Sequence, residues 1–406
     1  MRKNILIVTH HFWPENFLIN EVALRFSKLK HKVTVITGLP NYPSGKIFHK
    51  YKNWKSLNFE KFKNIKIIRF PIIPRKSGNF YNLIINYISF IVSGIYYLRK
   101  YNFKNKFDHI FVYSTSPITS AIVGIYLKKK YKIKLSIWIQ DLWPESVEAT
   151  GFIKNKFILY LIKSAVRYIY KNSDNIIAQS NAFKKKIKLI TNKKIHVVEN
   201  SHFNLSKESK IVLPKKLSKI LNNYFCLVFA GNIGRAQSIK TILESAFKLK
   251  NVKKIFILII GDGSEKDFAK NFIKKNKLDN IKIFGPYNSN VTLSVIKRCK
   301  ACLLTLRNEE IFSLTIPNKF QTYLYAGKPI IASVNGEVSK IIKKQKIGFA
   351  GKAEDSDLLK KNILKLFLNK KELKKIYIAS KNFYKKNYDI NKQSIKLLNI
   401  FNKNNG

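Results

Sequence analysis

Residues 316–330 read Ile-Pro-Asn-Lys-Phe-Gln-Thr-Tyr-Leu-Tyr-Ala-Gly-Lys-Pro-Ile, and their local chemistry predicts a short helix that feeds a buried strand. Pro317 lacks an amide hydrogen and has its φ already fixed near the helical value, so it suits a first turn. Gly327 permits the left-handed turn that closes a helix, and Pro329 cannot continue one. The apolar run 330–333 then reads as a strand. A lysine in the first turn opposes the helix dipole, which favours anions there. Lys319 makes sense at that place if it faces a phosphate held by the same helix end.

Outward from this segment the second half repeats one pattern. Short apolar runs at 226–230, 256–260, 281–284 and 301–305 precede the run at 330–333, with helical stretches between them. Two of these runs end in glycine turns. Phe229-Ala230-Gly231-Asn232-Ile233-Gly234-Arg235 opens a helix, and its glycines let backbone approach a pyrophosphate while Arg235 adds a fixed positive charge. Ile259-Ile260-Gly261-Asp262-Gly263-Ser264-Glu265 repeats the design without the third glycine of the dinucleotide fingerprint, which weakens a dehydrogenase reading. Turns of this kind also occur as plain tight turns.

The first half has the same alternation, with candidate strands at 4–9, 32–37, 65–70, 109–113, 134–139, 175–179 and 195–198. Their interiors are nearly all Ile, Val, Leu and Phe, as in parallel strands covered on both faces. Between 203 and 224 the sequence turns polar and lysine-rich, which marks an interdomain linker. After 352 it reads as helical to the end. The expected domains are 1–203, 204–385 and a C-terminal helix at 386–406 packing back on the first. A length of 406 residues suits two α/β cores of ~200 residues each.

Composition narrows the classes. Hydrophobic residues make up 46% and aromatics 13%, enough for two cores and against disorder. The apolar run at 5–8 is followed by His10-His11, so it reads as a first strand and not a secretory signal. Three cysteines make no disulfide scaffold and point to the cytoplasm; Cys299 and Cys302, although spaced C-x-x-C, read as core. Seven scattered histidines give no metal-ligand pattern, so no protein-held metal is expected.

The charge is the unusual quantity: 77 basic against 23 acidic residues, net +54, with nine arginines and 68 lysines. It reads either as a compositional bias that leaves lysines as solvated faces, or as attraction to a polyanion such as nucleic acid or an anionic membrane. Scarcity of arginine weakens base-specific recognition, because lysine lacks the bidentate fork. Two aromatic-rich stretches favour a membrane surface or ordinary domain helices with snorkelling lysines: 81–98, uncharged and 18 residues long, and 152–170, basic and amphipathic.

"PNKFQTYLYAGKPIIA" resembles the Pro-Ser-Lys…Tyr-x-Ala-x-Gly-Lys-Pro segment of glycosyltransferase family 4. The chain is similar, more narrowly, to the WbuB-like branch, L-fucosaminyl transferases of bacterial surface-polysaccharide and O-antigen synthesis. His-His-Phe-Trp-Pro-Glu-Asn at 10–16, Gly-Leu-Pro-Asn-Tyr-Pro-x-Gly-Lys at 38–46 and Asp-Leu-Trp-Pro-Glu-Ser at 141–146 share that likeness. So do Gly-Asn-Ile-Gly-x-Ala-Gln at 231–237 and Glu-x-Ile-Phe-Ser-Leu-Thr-Ile-Pro at 309–317. Six motifs in one order over roughly 5–350 are far more specific than any one of them.

The resemblance implies an α/β fold of the GT-B type, two doubly wound Rossmann-like domains facing a cleft, with a C-terminal helical tail. It implies a retaining reaction by front-face attack, with no covalent enzyme nucleophile, a UDP-sugar donor in the second domain and an acceptor mainly in the first. The acceptor is expected to be a lipid-linked saccharide at the inner face of the cytoplasmic membrane. No cofactor, no metal and no nucleic acid partner are expected.

Site candidates follow from motif and position together. Lys319, Arg235 and the turns at Gly231, Asn232, Gly234, Gly261 and Gly263 are expected to hold the diphosphate, with Asn318 and Gln321 beside them. The family's ribose-binding glutamate position is Thr322 here, and Glu309 or Glu310 are the replacements in reach. Asp141, after a strand, reads as a group that orients the acceptor hydroxyl or as a turn cap, and Trp143 as a sugar-stacking face or as core. Glu15 and Asn16 lie in the first strand–helix loop, and Asn41 and Tyr42 in a loop between Pro40 and Pro43. All four are acceptor-side candidates, although the two prolines also suit a purely structural loop. A sugar-nucleotide epimerase of the same double-Rossmann shape would call for an acidic and histidine constellation that the sequence lacks. A basic nucleic-acid-binding protein would leave the glycine turns without purpose.

Overall fold

The computed structural model describes residues 2–103, 106–149, 155–202 and 211–402. The chain divides into two compact units: Met1–Glu199 together with Ile390–Gly406, and Asn200–Asp389.

In the first unit β1 (Asn4–Thr9) leads to α1 (Leu18–Lys28), β2 (Lys32–Gly38), β3 (Asn58–Phe62), β4 (Ile65–Phe70) and α2 (Phe80–Lys100). There follow β5 (His109–Ser114), α3 (Ala121–Tyr131), β6 (Leu135–Ile139), α4 (Glu145–Ala149), α5 (Lys156–Asn172), β7 (Asn175–Ala178), α6 (Asn181–Lys188) and β8 (Ile195–Val197). The sheet runs β3-β4-β2-β1-β5-β6-β7-β8. Every pair is parallel except β3 with β4. The strand order reverses between β1 and β5, so the loops after these two strands flank a crevice at their carboxyl ends.

The inner strands form because they are nearly continuous Ile, Val, Leu and Phe: every residue of β5, β6 and β7 is buried. The sequence pattern passes over β3, Asn-Phe-Glu-Lys-Phe, since this edge strand is only partly covered and its charges read as loop. Arg69 of β4 is fully buried beneath it and donates to Glu60 Oε1, to the Gly38 carbonyl at 2.9 Å and to the Trp13 carbonyl. One buried cation thus ties the edge strand to the loops that follow β1 and β2.

The stretch expected at 81–98 is α2. It packs on the sheet through Asn86, Phe90, Gly94 and Leu98 and turns Tyr81, Ile85, Val92 and Tyr96 outward. Among the described residues it is the helix long and apolar enough to cross a membrane by length and composition. Asn86 is buried and tied at both ends of its amide, to His10 Nε2 at 2.9 Å and to the Ile73 carbonyl at 2.6 Å, which anchors the helix to the sheet. The second aromatic stretch forms α5 from Lys156; residues 152–154 lie outside the described residues.

In the second unit α7 (Lys215–Asn223) precedes β9 (Phe225–Ala230), α8 (Ile239–Lys248), β10 (Ile255–Ile260), α9 (Lys266–Lys275), β11 (Ile281–Phe284), α10 (Ser289–Arg298) and β12 (Ala301–Thr305). Then come α11 (Glu310–Leu314), α12 (Asn318–Tyr325), β13 (Ile330–Ser333), α13 (Gly336–Gln345), β14 (Gly348–Gly351), α14 (Ser356–Leu368) and α15 (Lys370–Asn387). The six-stranded sheet runs β11-β10-β9-β12-β13-β14 and is parallel throughout. Its order reverses between β9 and β12.

The linker expected at 203–224 is in part a helix of this unit. α7 buries Leu217, Ile220 and Leu221 in its core, and a lysine-rich solvent face hid that amphipathic stripe; residues 203–210 lie outside the described residues. The units meet in sequence at Glu199 and Asn200, and the second ends at Asp389. The last helix, α16 (Ile390–Asn402), falls in the first unit, where Phe401 stacks on His109 at 4.3 Å and reaches Phe26 and Phe111. The short β14 was hidden by its own Gly348. A Cβ there would lie 1.9 Å from the Ile330 carbonyl oxygen, so this glycine marks close approach to β13.

Candidate active site

The donor-side candidates gather at the β9–β12 switch of the second unit. Helix α12 starts after Pro317, as the sequence predicts. It is fixed to β9 by Tyr323, which is fully buried and whose hydroxyl accepts from the Ala230 amide at 3.0 Å. That anchor sets Lys319, one turn earlier, beside the Gly231 turn. The Lys319 ammonium lies 3.8 Å from the centre of the Phe229 ring and donates to Gln237 Oε1 at 2.5 Å. A Cβ placed on Gly231 would meet only Lys319, with Nζ 3.7 Å away, so the backbone is open on the side of the cation. Burial pushes the Lys319 ammonium down to about 7. A cation held this way is short of counter-charge, and the positive end of the α12 dipole lies at the same place.

The two glycine turns do different work. Gly231 has φ +135° and leaves its amide to the Ile260 carbonyl at 2.9 Å. Gly261 has φ +155°, and a Cβ there would fall 1.9 Å from the Gly231 carbonyl oxygen. A Cβ on Gly263 would strike Asn232 Oδ1 and the Ile233 carbonyl, each at 2.5 Å. Gly261 and Gly263 therefore let one turn nest against the other, and Ile233 N→Asp262 O at 2.7 Å with Glu265 N→Ile233 O at 2.8 Å locks the pair. Gly234 is buried against the Asn232 side chain, while Asn232 itself is exposed.

The other donor-side candidates are less concentrated. Arg235 is mostly exposed, with Glu265 Oε1 3.9 Å away as its partner. Glu309 precedes α11 and sits 3.7 Å from Arg307, and Glu310 is exposed in the first turn of that helix. Asn318 is exposed at the start of α12. Gln321 is buried, and its amide, oriented so that nitrogen donates, meets the Pro317 and Asn318 carbonyls at 2.8 and 3.1 Å. The expected donor contact of Gln321 is thus replaced by an internal one, because residue 321 faces the core side of the helix. Thr322 donates to the Asn318 carbonyl at 3.2 Å and meets His202 Nδ1 at 3.1 Å.

In the first unit the candidates lie after β1, β2, β5 and β6. Asp141 Oδ2 accepts from the Ser116 amide at 2.8 Å and from Ser116 Oγ at 2.9 Å. Trp143 Nε1 donates to the same Ser116 Oγ at 3.1 Å, and its ring is nearly buried beside Tyr87. Burial raises the Asp141 carboxyl above its ordinary range, against the two Ser116 donors, which pull the other way. Oδ1 makes no hydrogen bond with the described residues. Asp141 is therefore a carboxylate positioned by Ser116.

Glu15 has a different place from the one expected. It is buried, its Oε1 accepts from the Asn41 and Tyr42 amides at 2.8 and 2.7 Å, and its Oε2 meets His11 Nδ1 at 3.0 Å. Asn41 is fully buried, donating to the Leu39 carbonyl and accepting from the Arg75 amide. Both are the internal frame of the two loops. Asn16 and Tyr42 are the exposed members, and the Arg75 guanidinium lies 5.1 Å from the Tyr42 ring centre. Gln237, Ser116 and Arg75 are site residues that the sequence reading missed: Gln237 lies inside the quoted Gly-Asn-Ile-Gly-x-Ala-Gln turn, and the other two carry no motif of their own.

Comparison with known proteins bears on the family and the fold. Residues 17–201 match the model described as Glycosyltransferase Family 4, and residues 215–383 match Glycosyl transferases group 1. The chain is 26% identical over 242 residues to "Probable glycosyltransferase WbjE" of Pseudomonas aeruginosa, covering 58% of this chain and 60% of that one. It is 22% identical over 307 residues to "Putative colanic acid biosynthesis glycosyl transferase WcaI" of Escherichia coli K12, covering 73% and 74%. The E. coli structure described as trehalose-6-phosphate bound with UDP-2-fluoro glucose superposes with a TM-score of 0.71 at 11% identity, over 98% of this chain and 99% of that one. The chain is a GT-B fold protein in which a glycosyltransferase family 4-like domain is followed by a glycosyl transferases group 1 domain.

Proposed function

We propose that the chain is a retaining glycosyltransferase that moves a sugar from a UDP-sugar to a lipid-linked saccharide acceptor in bacterial surface-polysaccharide or O-antigen synthesis. One observation carries the reading: a lysine withdrawn from water, at the N-terminal end of α12, beside an open glycine turn. When the bond between the sugar and the diphosphate breaks, negative charge develops on the departing oxygen. Lys319 and the α12 amides are the groups that stabilise it, with Arg235 as an outer cation, and no protein-held metal is called for. Asp141 orients the acceptor hydroxyl for front-face attack, and no side chain acts as a covalent nucleophile.

The likeness to a fold solved with UDP-2-fluoro glucose supports a nucleotide-sugar donor, and the colanic acid relative supports a polysaccharide product. The motif likeness to the fucosaminyl branch supports an N-acetylated 6-deoxyhexosamine such as L-fucosamine. A peripheral position on the inner face of the cytoplasmic membrane is supported by the first unit's own surface. Tyr81, Ile85 and Val92 on α2 and Phe157, Tyr160 and Leu161 on α5 are exposed, and α5 also exposes Lys156, Lys163 and Arg167. The test is a panel of UDP-sugars, with UDP release and transfer measured on the purified chain. A chain that bound no nucleotide sugar, yet bound RNA with a steep salt dependence, would have a different function.

A further inference from the structure

An apolar groove of about 320 Å³ runs between α2 and α5 in the first unit. Its walls are Leu83, Ile84, Ile88 and Ile91 from α2 and Ile158 and Ile162 from α5. These positions recur at three- and four-residue steps, so each helix turns one stripe into the recess. A stripe of this kind normally meets another element of the fold; among the described residues these two stripes line the recess together with Ser146 and Val147 of α4.

The floor is polar and belongs to the candidate site. Ser116 and Trp143 both line the groove, and Ser116 is the residue that donates twice to Asp141. Tyr87, on the groove wall, lies close enough to both Asp141 and Arg75 for their charges to act on its hydroxyl. The recess is therefore apolar along its length and borders the candidate site through Ser116 and Trp143, Ser116 being the residue that holds Asp141. Outward-pointing side chains such as Val92 and Phe157 suit a membrane surface; a narrow recess between helices suits a thread of carbon.

We infer that this groove takes the hydrocarbon chain of the acceptor's lipid; the inference rests on the lipid-linked acceptor proposed above. The chain leaves the membrane over the apolar faces of α2 and α5 and lies in the groove, which brings the attached saccharide to Asp141.

The experiment titrates the whole chain with farnesyl phosphate and with inorganic phosphate as probes. Farnesyl phosphate is expected to bind at least roughly 100-fold more tightly than inorganic phosphate. Ile88→Lys, at a half-exposed position that tolerates substitution, and Ile162→Lys should each weaken farnesyl phosphate by roughly tenfold or more. Val92→Lys, on the outward face, should leave that affinity unchanged and reduce sedimentation with phosphatidylglycerol vesicles. Equal binding of the two probes, or unchanged farnesyl phosphate affinity in Ile88→Lys and Ile162→Lys, overturns the inference. Loss of vesicle sedimentation by those two variants with farnesyl phosphate affinity intact overturns it too, and makes the groove a membrane-docking face. A wild-type chain that transfers sugar to a lipid-linked acceptor but ignores farnesyl phosphate contradicts the groove alone. One that binds farnesyl phosphate but transfers nothing contradicts the reaction alone.

Discussion

Lys319 of α12 rests against the Phe229 ring at 3.8 Å and beside the open backbone of Gly231, so the second unit holds a partly desolvated cation where its helix end favours an anion. Its ammonium is pushed down to about 7 by burial. Binding a diphosphate favours the protonated form and raises that value. UDP affinity is therefore full below pH 7 and falls as pH rises above it, by at most about tenfold per unit. Calorimetric titrations of UDP between pH 7 and 9, above the last phosphate ionisation of ~6, should show this fall in the wild type. Lys319→Arg should flatten it, since arginine stays charged.

Asp141 is predicted to act through its ionised form. Asp141→Asn should lower kcat by about 10²–10⁴ and leave the unfolding midpoint within a few degrees, because an amide oxygen still accepts from Ser116. Burial raises the Asp141 carboxyl, so in the wild type kcat/KM should fall on the acid side with its inflection above the ordinary carboxylate range. Activity is present above that value and is lost as the pH drops through it. A profile that falls only below the ordinary carboxylate range, or not at all, would remove Asp141 from the reaction.

Glu15 is predicted to matter for folding. Glu15→Ala leaves the buried Asn41 amide and the half-buried Tyr42 amide without their acceptor, at up to ~3 kcal/mol for the first and less for the second. Urea unfolding should report a loss of roughly 2–5 kcal/mol. An acceptor-binding role would instead show as a kinetic defect at unchanged stability.

Gly261→Ala should disrupt the nested turns, since its Cβ falls 1.9 Å from the Gly231 carbonyl oxygen at φ +155°. The expected result is a loss of roughly 1–3 kcal/mol in stability together with weaker UDP binding. Wild-type affinity and stability in this variant would contradict the turn-packing account.

Sequence patterning revealed most of the fold because parallel strands buried on both faces are continuous apolar runs, and β1, β4, β11, β12 and β13 begin and end where those runs do. It failed where composition and burial part company. β3 is polar because it is an edge, β14 is glycine-led because β13 lies close, and α7 hides three buried residues in a lysine-rich segment. At the candidate site, residue type and position singled out Lys319, Gly231 and Asp141 as proposals. What a side chain does was legible only when its neighbours were known: Gln321 turns inward on its helix, Glu15 and Asn41 frame loops, and Ser116 and Gln237 matter through the groups they hold.

The most direct test of the central claim is the affinity of the purified chain for UDP, measured by titration calorimetry at pH 7 with and without the Lys319 side chain. The account predicts that the wild type binds UDP and that Lys319→Ala binds it roughly 10- to 100-fold more weakly, the loss of one charge-assisted contact, with the unfolding midpoint preserved. Equal affinity in the two proteins would contradict it.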